Sequence, residues 1–68
     1  MTLSLFNASK FIKEAEPGDQ IVRDDGIYSI KTIDRKRKTV VVFELTADKF
    51  DSECTFTLAD LIGAEWSK

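Results

Sequence analysis

The sequence predicts a mainly β, α+β domain: a short N-terminal helix followed by a four- to five-stranded antiparallel meander, either a small barrel or a curled sheet. Three observations carry this expectation. Two apolar, β-branched runs, IYSIKTI (27–33) and TVVVFEL (39–45), flank the short polar loop Asp34-Arg35-Lys36-Arg37-Lys38, which is the pattern of a hairpin. Turn or loop signals at Pro17-Gly18, Asp25-Gly26, 34–38 and 47–52 separate the apolar runs, as short strands joined by turns require. Only the first sixteen residues show helical spacing of apolar side chains.

Taken in order, Leu5, Ala8, Ile12 and Ala15 recur at helical spacing with Phe11 beside them, and Ser4 or Asn7 offers a side chain to cap the first turn. Pro17-Gly18 ends that element, because proline disfavours helical geometry in the preceding residue and glycine lets the chain turn sharply. The N-terminal element is therefore expected to stand apart from the sheet. A strand over 20–24 runs into Asp25-Gly26, a dipeptide suited to a tight turn, and 27–33 returns as its partner. In the run 39–45, Val41, Phe43 and Leu45 share one face while Val40 and Val42 take the other. Apolar residues on both faces predict a central strand, with the helix covering the second face. After the polar loop ADKFDS (47–52), Cys54, Phe56 and Leu58 alternate with Thr55 and Thr57 as a half-buried strand. One helical or 3₁₀ turn over 59–62, broken at Gly63, then precedes a closing strand over 64–66. The chain reads as one domain, 1–68, with a helical segment over 1–16 and the β-meander over 17–68.

Pro17-Gly18-Asp19 leading into Ile21-Val22, then Gly26-Ile27-Tyr28, and the turn from Leu58 to Gly63 before a final strand resemble the SH3-like small barrels, including the KOW and Tudor types. The resemblance covers 17–66 and rests on turn chemistry; the leading helix lies outside it. It implies a barrel or curled-sheet binding module. The aromatic cage that some Tudor-type domains use is not evident, since Tyr28 and Trp66 are too few to form one.

Sixty-eight residues hold one small core, and a domain of this size buries only about 60% of the surface its unfolded chain exposes. With a single cysteine no internal disulfide can staple it, so its apolar residues, 43% of the chain, carry folding alone or with a partner subunit, and a homodimer is open. The lone Cys54 and the lack of a disulfide framework suit a reducing compartment. MTLSLFNASK has neither the basic nor the long apolar region of a signal peptide, and no run is long enough for a membrane span. The expected location is the cytoplasm, with no membrane partner. The net charge of −2 is unevenly placed: five cations and Asp34 between Lys31 and Lys38 make +4, leaving −6 elsewhere. Such asymmetry suits an oriented, charged partner.

The chemistry available is narrow. Without histidine the commonest general base and metal ligand is missing, along with Ser-His and Cys-His nucleophile pairs. One cysteine and no histidine exclude zinc-finger and iron–sulfur ligand sets. Asp48, Asp51 and Glu53 with Asp24 and Asp25 lack the order and the glycine of an EF-hand loop, and read as solvated carboxylates. Gly18, Gly26 and Gly63 are scattered and form no phosphate-binding loop. Alternation places Cys54 in the core, and Asp51 and Glu53 beside it disfavour a reactive thiolate. No catalytic residue, metal or cofactor is expected, and no enzyme activity.

Lys31, Arg35, Lys36, Arg37 and Lys38 form the sharpest contact candidate, because clustered cations neutralise phosphates or meet an acidic partner. A hairpin tip must be polar in any case, and its lysines also discourage edge pairing. Phe50, Trp66 and Tyr28 are large apolar side chains that would anchor a protein partner if exposed and would fill the core if not. The leading expectation is a small protein-interaction module of regulatory or inhibitory type, comparable to those that phages and mobile elements encode, binding a protein through an acidic surface with aromatic anchors. Two alternatives stay open: a nucleic-acid-binding accessory domain using the basic tip, and a structural subunit of a homo-oligomeric assembly.

Overall fold

The computed structural model describes residues 1–45 and 53–67. Its elements are helix α1 (Ala8–Glu14), strands β1 (Gln20–Arg23), β2 (Gly26–Asp34), β3 (Thr39–Glu44) and β4 (Glu53–Phe56), the short helix α2 (Leu58–Leu61) and strand β5 (Glu65–Ser67). The five strands form one antiparallel sheet in the order β4-β3-β2-β1-β5. The first four make a meander, and β5 returns to pair with β1. The end strands β4 and β5 do not pair with each other among the described residues, so the sheet is not closed. No described helix is long and apolar enough to cross a membrane.

In α1 the expected apolar stripe is real, since Ala8, Phe11 and Ile12 are buried and Ala15 follows them into the core. Leu5 is not part of it. It lies in the turn before the helix, where a 3.6-residue period has no meaning, and is 79% exposed beside Phe6 at 97%. Asn7 occupies the N-cap position without capping its own helix. Its amide instead accepts from the Ser4 N–H at 2.5 Å and donates to the Thr2 carbonyl at 2.9 Å, tying the preceding turn together. Gly18 adopts φ +98°, the left-handed region that glycine enters without penalty, and so carries the chain from helix to sheet.

The β1–β2 turn falls one residue earlier than the sequence pattern suggests. Arg23 pairs with Gly26, so Asp24 and Asp25 are the turn residues, and neither has positive φ. In β2 a register shift between Ile30 and Thr32 leaves Lys31 as an extra residue. This bulge matters for the core. Ile30 and Ile33 stand three apart and would point to opposite faces of a regular strand, yet Ile30 is buried and Ile33 packs against the same cluster. Within β3, Val40 and Val42 are fully buried, whereas Val41 and Phe43 are half-buried and Leu45 is exposed. Helix α1 therefore lies over the Val40–Val42 face, and the opposite face is the outer one.

One core unites helix and sheet around Phe11, with Leu3, Ile21, Tyr28, Ile30, Phe56, Leu61 and Trp66 among its members. Phe11 meets Trp66 edge-on at 5.1 Å between ring centroids, and Tyr28 meets Phe56 the same way at 4.9 Å. Truncating a fully buried phenylalanine costs about 3–5 kcal/mol, a large share of what a domain this small can hold.

The N-terminal segment does not stand apart from the sheet. Thr2 bridges to Glu65, Leu3 donates to the Ala64 carbonyl at 2.8 Å, Gly63 donates to the Leu3 carbonyl at 2.7 Å, and Trp66 donates to the Met1 carbonyl at 2.8 Å. This strap covers the outer edge of β5. The sequence offers no sign of it, because pairing so distant along the chain leaves no local periodicity.

Candidate functional site

Two charged turns flank β2 at its opposite ends. At the basic end, Asp34 organises the loop: its Oδ1 accepts the backbone N–H groups of Lys36 at 3.1 Å and Arg37 at 2.9 Å. An aspartate in this role substitutes for a backbone turn bond. Lys38 then closes the loop at φ 57°, the left-handed conformation.

The five cations of the sequence cluster are not gathered into one patch. Lys31 sits on the bulge, ion-paired to Glu53 and 5.3 Å from the Phe43 ring centroid. Arg35 turns back under the loop, and its Nη2 donates to the Ala15 carbonyl at 3.0 Å, securing the end of α1. Arg37 lies 3.8 Å from the Asp34 carboxylate and is otherwise solvated. Lys36 and Lys38 are exposed. Two of the five cations, Lys31 and Arg35, thus contact other elements of the fold, and those at the tip itself remain in solvent.

The aromatic candidates resolve differently. Tyr28 and Trp66, 3% and 8% exposed, are core residues. A small domain needs its large rings inside. The Trp66 indole N–H donates to Asp19 at 3.1 Å and the Tyr28 hydroxyl donates to Glu44 at 3.3 Å, so each polar end is satisfied. Phe50 lies outside the described residues. Cys54, expected in the core, is exposed. It points to the same side as Phe56, but β4 is an end strand, and only Phe56, beside Tyr28, is buried.

At the acidic end, the Asp24-Asp25 turn and the α2–β5 connection enclose a cleft of about 350 Å³. Arg23, Asp24, Asp25 and Asp60 supply its charge, while Ala59, Ile62 and Ala64 give it apolar walls. Arg23 is committed on two sides, 3.5 Å from Asp25 and stacked 4.5 Å from the Phe56 ring centroid. Asp60 belongs to a capping box: its Oδ2 accepts the Thr57 backbone N–H at 3.0 Å and bonds the Thr57 hydroxyl at 3.1 Å. Those bonds, the backbone one foremost, hold the Asp60 carboxyl below its ordinary 3.8, so it stays ionised. Three carboxylates against one guanidinium leave the cleft at −2 near neutral pH.

Burial, followed by the Asp25 and Glu44 carboxylates, pushes the Tyr28 hydroxyl up to about 12, which keeps it a neutral donor. Local sequence patterns do not reveal the cleft, although the capping-box spacing Thr57-x-x-Asp60 and the Asp24-Asp25 pair are both legible in the sequence. What joins them is the pairing of β5 with β1, which brings the two turns to one end of the sheet. No family model, curated protein or solved structure matches this chain.

Proposed function

We propose that this chain is a small, non-enzymatic protein-interaction module and that the acidic cleft beside the β1–β2 turn receives a basic segment of its partner. The observation that carries this reading is the cleft itself, a concave surface with a net charge of −2 and apolar walls between carboxylates. Lysine and arginine side chains suit such a site, because their aliphatic stems lie on apolar walls while their charged heads meet carboxylates. Complementary charge also speeds encounter and rejects acidic competitors. An interaction module of this kind fits a regulatory or inhibitory role in the cytoplasm. The fold is read further as SH3-like, supported by the four-strand meander and the helical turn before the last strand.

The test is capture of partners from lysate on the tagged protein, with and without nuclease, comparing wild type with Asp24→Lys/Asp25→Lys and with Lys36→Glu/Arg37→Glu/Lys38→Glu. The expected result is a protein partner that survives nuclease and the tip variant and is lost with the cleft variant. Recovery that disappears with nuclease and with the tip variant would instead assign the function to nucleic acid.

A further inference from the structure

The two ends of the sheet are finished differently. At β5 the strap of residues 1–3 occupies the outer hydrogen-bonding row. At β4 no described residue lies alongside the outer row. Proteins usually protect an exposed edge with charge, proline, a bulge or a covering segment. β4 has the sequence Glu-Cys-Thr-Phe with no proline and no bulge, and its one charge, Glu53, is already paired with Lys31.

The backbone directions along this edge follow from the ladder. Leu45 donates to the Ile27 carbonyl, so odd-numbered residues of β3 turn their N–H and C=O groups toward β2, and Val40 and Val42 turn theirs toward β4. Their partners Phe56 and Cys54 face back to them. The groups left on the open edge are therefore those of Glu53 and Thr55. Thr57 contributes none, since its N–H is taken by Asp60 and its carbonyl by Leu61.

We infer that β4 pairs antiparallel with β4 of a second copy about a two-fold axis through Cys54. In this register Glu53 of each copy lies opposite Thr55 of the other. The two pairs use every outward N–H and C=O of both strands, and no like charges are opposed. A register centred on Thr55 would oppose Glu53 to Thr57, whose backbone groups are already occupied, and would leave outward groups of Glu53 unpaired. The interface is isologous, closed at two copies, and joins two sheets into one of ten strands. Four residues per copy form an edge far smaller than a standard protein interface, so the association is weak and dependent on concentration.

Sedimentation equilibrium of the full chain under reducing conditions is the first measurement. The mass should rise from 7.7 kDa toward twice that value as concentration approaches the order of 1 mM, the range of a weak association. Thr55→Glu should weaken dimerisation by opposing Glu53 of the other copy, and Thr55→Lys should strengthen it. Thr55→Pro should abolish it with the circular dichroism spectrum retained, because it removes only an outward N–H on an end strand.

In the inferred register the two Cys54 residues form a non-hydrogen-bonded pair at a Cα separation of about 4.5 Å, inside the range for a disulfide. Mild copper–phenanthroline oxidation should therefore cross-link wild type several times faster than the Cys54→Ser/Thr55→Cys variant. A mass that stays monomeric throughout overturns the inference. So does dimerisation that survives Thr55→Pro in a folded protein, or cross-linking that is equally fast at both positions.

Discussion

The turns at the two ends of β2 carry opposite charge and use it differently. The basic turn has more charge, but Arg35 secures the end of α1 and Asp34 is occupied in shaping the loop. The acidic turn has only two residues, yet it faces a second turn across a cleft, and only one guanidinium offsets its carboxylates. A run of charge in the sequence is therefore a poor guide to how those charges are used once the chain has folded. Charges that organise their own loop are largely unavailable to a partner.

The contrast can be broken most forcefully at the cleft. Asp24→Lys/Asp25→Lys should reduce partner capture at least about tenfold, since like charges brought together at an interface cost several kcal/mol. Its unfolding free energy should fall by about 1 kcal/mol, because Asp25 no longer pairs with Arg23, while the circular dichroism spectrum is retained. Capture unchanged by this variant would remove the cleft reading. At the other turn the effects should fall on stability and leave capture alone. Arg35→Ala, read as a shift in urea midpoint, should cost about 1–2 kcal/mol through the lost bond to the Ala15 carbonyl. Asp34→Ala should cost about 1 kcal/mol, as two loop N–H groups lose their acceptor. Lys36→Gln/Lys38→Gln should change stability by less than about 0.5 kcal/mol, because both side chains are exposed.

Titration sharpens the same contrast, because the acidic end also holds the chain's one tyrosine. An unfolded tyrosine ionises near 10, whereas burial and the Asp25 and Glu44 carboxylates raise Tyr28 to about 12. The raised value favours the folded state below pH 10, and that contribution is lost as pH rises through about 12. Tyrosinate absorbance should therefore appear late, together with unfolding, and Tyr28→Phe should remove this part of the alkaline loss. Asp60 acts in the opposite sense. Its lowered value favours folding above the ordinary carboxylate range, and the contribution is lost on acidification below 3.8. Asp60→Asn should flatten that acid limb.

The mainly β architecture and most strand boundaries were legible because alternation and turn residues are local signals. Val40 and Val42 against Val41 and Phe43, and the helical turn before β5, could be read this way. Lys31 could not be identified as a bulge, since an extra residue becomes visible only when the partner strand fixes the register. Cys54 was misplaced because alternation gives a residue's face and says nothing of whether that face is covered. The roles of Arg35 and of the strap at residues 1–3 depend on contacts between distant parts of the chain, as does the cleft.

The single tryptophan gives the molecule a built-in fluorophore. Trp66 is seated where α1, β1 and β5 meet, edge-on to Phe11 with its indole N–H on Asp19. It belongs neither to the residues lining the acidic cleft nor to β4. Its emission should therefore report opening of the helix–sheet junction and stay nearly silent when a partner occupies the cleft or a second copy joins the edge. Unfolding and association can thus be followed separately, in one unlabelled sample.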